Sequence, residues 1–177
     1  MALLNDQPSG SANAPVYKQI IDGIESKLPP ELRKPYQQIV VAGMKFLFDD
    51  TTHNMMVQRL DAAQQGGKVP GEIVKGTVDV IKVLYQESHG KLNPAAAFPA
   101  SATLMYHIFE YAEHKQPGVQ FDNDILAGAA QSLMKQMAET FHVTPEQLQQ
   151  GIEQNQQQGG AAPATPPAAE PAPAEGV

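Results

Sequence analysis

The chain has 177 residues, 42% hydrophobic and 18% charged, and its 12 Lys and Arg against 19 Asp and Glu give a net charge of −7. That length suits one domain with a real core, while lysines scattered singly, such as Lys18, Lys45, Lys75 and Lys115, provide no basic stripe to follow a nucleic-acid backbone. Cysteine is absent, which excludes disulfides, thiolate metal sites and a cysteine nucleophile.

Residues 1–14 are polar, with Gly and Ser, and read as a short flexible arm. They carry neither a basic n-region nor an apolar h-region, so no secretory signal is expected. Pro15 opens a first helix, because a missing N–H costs nothing in the first turn. Ile20, Ile21, Ile24 and Leu28 follow at helical spacing, and Pro29-Pro30 ends it. A second helix starts at Pro30 or Pro35, with Leu32, Tyr36, Ile39, Val40, Met44 and Leu47 as its apolar stripe. The apolar run at 39–48 contains Lys45 and is half of the roughly 20 residues a membrane span needs.

Asp49-Asp50-Thr51-Thr52 supplies a break and an N-cap, and the third helix carries Met55, Met56, Leu60 and Ala63 up to Gly66-Gly67. The fourth begins near Pro70 with Glu72 in its first turn, shows Ile73, Val74, Thr77, Val80, Ile81 and Leu84, and ends at His89-Gly90. Residues 93–99 read as a small-residue loop. The fifth helix is then expected over 100–115, with Leu104, Met105, Ile108, Phe109 and Ala112 inward. After a Pro117-Gly118 turn, Asp122 caps a sixth helix with the stripe Ile125, Leu126, Ala129, Leu133, Met137 and Phe141. Thr144-Pro145-Glu146-Gln147 has a threonine cap, a proline at N1 and a capping-box glutamine. It opens a seventh helix that fades near Gln156.

Residues 159–177 hold alanine, proline and two glutamates but no aromatic residue, and have almost nothing to bury. They read as a disordered acidic tail. No window alternates with period two over a strand's length. The expectation is therefore all-α: a compact bundle of six to seven short helices over 15–158, between a flexible arm and a disordered tail.

Chemistry is sparse. His107, Glu110 and His114 share about one face of the fifth helix and form a metal-ligand candidate. Their i, i+3, i+7 spacing is not the i, i+4 histidine pair that places two nitrogens on one ion, so no metal is expected. His53, His89 and His142 fall near helix ends and read as caps or solvated groups. Asp122-Asn123-Asp124 opens like a calcium loop, but Ala127 and Leu133 stand where its glycine and glutamate belong. Gly66-Gly67-Lys68 lacks the spacing of a phosphate loop. Gly43, Gly76 and Gly128 interrupt helical patterns and read as close helix crossings rather than places where a ligand approaches. Met55, Met105 and Met137 are expected in the core. Met56 and Met134, if both exposed, suggest a docking patch. No catalytic residue and no cofactor site is expected.

Lys34-Pro35-Tyr36 leading to Val41-Ala42-Gly43-Met44, Lys91-Leu92-Asn93-Pro94 before Pro99-Ala100, and Phe141 with Thr144-Pro145-Glu146-Gln147-Leu148 resemble a family of small helical accessory proteins. These are encoded in the structural-gene modules of tailed bacteriophages. The resemblance covers residues 35–150. It implies a non-enzymatic virion-associated or assembly protein, made in the host cytoplasm, whose partners are other virion or assembly proteins or further copies of itself. It supplies no catalytic residues, and neither nucleic acid nor membrane is an expected direct partner. The alternatives are a transient assembly chaperone or scaffold, a small metal-binding helical protein built on His107, Glu110 and His114, and a host-directed adaptor.

Overall fold

The computed structural model describes residues 14–116 and 119–143. Within them the chain forms six α-helices and no strand: α1 (Ala14–Ser26), α2 (Pro30–Leu47), α3 (Asp50–Gln65), α4 (Val69–Glu87), α5 (Pro94–Lys115) and α6 (Asn123–Phe141). The all-α expectation holds. The Pro117-Gly118 turn, the helix expected from Thr144 and the acidic tail lie outside the described residues, as does the arm up to residue 13. No described helix is long and apolar enough to cross a membrane.

The bundle is organised around α5. Its buried residues include Ala96, Ala97, Phe98, Leu104, Met105, Tyr106, Phe109 and Ala112, which together point around most of the helix. A helix apolar on all sides has to be enclosed. Here α1, α2, α4 and α6 all pack on it. The other helices bury one face each: Leu32, Tyr36, Ile39 and Leu47 on α2, Leu126, Ala129, Leu133 and Met137 on α6.

The start of α5 corrects the sequence reading, because residues 94–99 are helix rather than loop. Asn93 is the N-cap, its side-chain oxygen accepting from the Ala95 N–H at 2.9 Å, and Pro94 occupies the first turn. Pro99 then lies inside the helix, where an interior proline costs about 3 kcal/mol. The burial of Ala96, Ala97, Phe98 and Ala100 outweighs that cost. α2 repeats the arrangement: Pro30 starts it and Pro35 is accommodated five residues further in.

Polar groups join the helices where apolar packing alone would leave orientation free. Tyr36 Oη lies 2.8 Å from Thr103 Oγ1, buried between α2 and α5, and its hydroxyl also reaches Glu25 Oε1 on α1 at 3.4 Å. Tyr17 is fully buried and packs on Tyr106 with ring centroids 6.4 Å apart. It anchors α1 more deeply than the partly buried Ile20, Ile21 and Ile24 of the expected stripe. Glu113 is buried near the end of α5 and accepts the Phe121 N–H at 2.9 Å, holding the segment that leads into α6. Phe121 in turn sits edge-on to Phe109, centroids 4.7 Å apart.

Candidate functional site

An apolar groove of about 200 Å³ lies between α3 and α4, with residues of α2 and α5 also lining it. Buried Leu47, Leu60, Ile73, Val80 and Ile108 make its floor. Met55 and Met56 from α3, Val83 from α4 and Phe46 from α2 also line it. Met55 is 54% exposed. A cavity of about 150 Å³ lined by aliphatic side chains is already large enough for a six-membered ring. This groove therefore has room for a large apolar side chain.

Charge sits only at the rim. Arg59 Nη1 reaches across to Asp79 Oδ2 at 3.6 Å, and both side chains are about half exposed. Glu72, in the first turn of α4, also lines the opening and makes no ion pair among the described residues. The groove thus pairs an apolar interior with a rim of two carboxylates and one guanidinium.

Glycine shapes the groove. Gly76 borders it, and a Cβ built there meets nothing within 4 Å, so the missing side chain leaves open space. That corrects the close-crossing reading at this position. Gly128 is likewise open and exposed on α6. Gly43 alone fits the expectation: its Cβ would lie 2.5 Å from Leu104 Cδ1, so α2 approaches α5 where only hydrogen fits.

Next to the groove, α3 is held by an aromatic cluster. His53 and the half-exposed Phe48 stack with centroids 5.7 Å apart, and Tyr111 of α5 meets the His53 ring edge-on at 5.1 Å. Tyr111 Oη lies 3.0 Å from His53 Nε2. His53 is therefore not the cap or solvated group its sequence position suggested. Burial raises the Tyr111 phenol pKa, and the Asp61 carboxylate raises it further. Met56 lines both the groove and the crevice beneath Phe48 and Tyr111, so it couples the two.

The remaining candidates are dispersed. His107 Nδ1 is 3.8 Å from Glu110 Oε2, a surface pair on α5, and His114 is exposed. Among the described residues no group of three His, Asp or Glu side chains is placed to hold one metal ion. His142 is the C-cap of α6 in the left-handed region, and His89 is exposed at the end of α4. Asp122 caps α6 by accepting the Ile125 N–H at 2.8 Å. Met105 and Met137 are fully buried as expected, whereas Met55 and Ile125 lie at the surface with Met134. Compared with family models, characterised proteins and solved structures, the chain matches none.

Proposed function

We propose that this chain is a non-enzymatic structural or assembly protein of a tailed-phage particle, working through protein–protein contacts of its helical body. The observation that carries the contact reading is the groove, an apolar cleft with an exposed methionine on its lip and charge confined to its rim. That is the anatomy of a protein-binding patch: a desolvated centre with a polar border. Methionine suits such a surface because its unbranched side chain repacks around different partners.

The phage assignment rests on the resemblance. Its motif residues lie where the bundle is organised: Tyr36 and Gly43 on α2 meet Thr103 and Leu104 on α5, while Asn93, Pro94 and Pro99 build the start of α5. The test is mass spectrometry of particles purified from infected cells. Peptides of the chain in mature particles support the proposal. Peptides in precursor particles alone favour the transient assembly role. Absence from both, with capture of a host protein, favours the adaptor and contradicts the proposal.

A further inference from the structure

We propose that the groove receives the α2 helix of a second copy of this chain, so that copies join head to tail. The inference builds on the reading that the helical body works through protein contacts. Its donor half is a stripe along the outside of α2. Lys34, Val41 and Lys45 are spaced by seven and four residues and therefore share one face. Val41 is 54% exposed, with a lysine on either side of it and Ala42 alongside. Neither lysine makes an ion pair among the described residues.

The acceptor half has complementary chemistry. Its interior is apolar and open at Gly76; on its rim Asp79 is paired with Arg59, which leaves Glu72 as the carboxylate with no ion pair among the described residues. An aliphatic anchor flanked by lysines meets an aliphatic groove whose rim has one more carboxylate than guanidinium. Opposite charges at the border set register and speed encounter more than they add affinity.

Geometry makes the contact intermolecular. At about 100° per residue, Phe46 and Leu47, which line the groove, lie on the other side of α2 from Val41. The two surfaces of one molecule face apart, so neither satisfies the other. A contact between two different surfaces repeats from copy to copy, and closes into a ring or extends as a filament.

The test uses two variants of the full chain, followed by sedimentation velocity and light scattering. Val41→Glu spoils the donor at an exposed position. Gly76→Leu fills the acceptor at a helical position with room for a side chain, and a thermal midpoint at or above wild type shows that it folds. Wild type is expected to assemble with rising concentration, and each variant alone to need at least about tenfold more protein for half-assembly, the loss of one anchor contact. An equimolar mixture is expected to form a 1:1 dimer, because Val41→Glu keeps a sound groove and Gly76→Leu keeps a sound stripe. A wild type that stays monomeric, a variant that assembles like wild type, or a mixture that stays monomeric overturns the proposal. None of these results bears on whether the chain is found in particles, which the mass spectrometry decides separately.

Discussion

At the scale of single residues, two glycines in similar sequence surroundings carry opposite consequences. Alanine at position 43 gains helix propensity of about 1 kcal/mol but drives its Cβ to 2.5 Å from Leu104 Cδ1. Leu104 is fully buried and cannot swing into solvent, so overpacking costs about 1–3 kcal/mol and wins. Gly43→Ala is expected to lower the thermal midpoint by a few degrees, whereas Gly76→Ala, with nothing to meet, is expected to raise it. A midpoint that rises in both means that α2 and α5 are not in close contact at Gly43. Buried phenols give a second test. Burial raises the pKa of Tyr106, so the folded chain keeps that proton at a pH where the unfolded chain has released it. The resulting stability is complete below the unfolded value of about 10 and is lost as pH climbs through the raised folded value. Chemical denaturation of Tyr106→Phe is therefore expected to show a shallower fall in stability above about pH 10 than wild type. Equal slopes mean that Tyr106 does not contribute.

At the scale of elements, α3 and α5 are opposites. α3 buries two residues, Leu60 and Ala63, of its sixteen, and is otherwise fastened by the His53–Tyr111 contact and by Gln116 Nε2 donating to Asp61 Oδ1 at 3.1 Å. α5 is enclosed by four neighbours. Local opening follows burial, so amide hydrogen exchange is expected to be fast in α3, as in α1, which buries only Tyr17, and slowest in α5. Comparable protection in the two contradicts the picture of a lightly held helix over the groove. The same contrast explains what the sequence could disclose. Asp49, Asp122 and the first-turn prolines act over three or four residues, so helix starts were readable. Pro99 reads as a breaker only while the burial of Ala96, Ala97 and Phe98 is unseen. Met55 falls on the inward stripe by spacing, but a helix with two buried residues tolerates a turn of about 100° per position, and it faces out. Of the groove only the methionines Met55 and Met56 were readable as candidate lining, because its floor comes from four helices. The His53–Tyr111 contact joins residues 58 apart.

At the scale of the whole molecule, the proposal pairs two surfaces of the described residues. One is apolar with Arg59, Asp79 and Glu72 on its rim and the other is an exposed valine between lysines, and they face apart. Under the proposal these faces join copies of the chain, and the border charges make that association sensitive to salt. Screening over about 3 Å at about 1 M salt removes most of the attraction between exposed charges. The most direct measurement is light scattering on the full chain across a concentration series at low and high salt. A mass that climbs from 19.1 kDa towards its multiples as concentration rises, with the climb moved to somewhat higher concentration in high salt, is the expected result. A mass of 19.1 kDa at every concentration and both salts contradicts a body that joins to itself through these two faces.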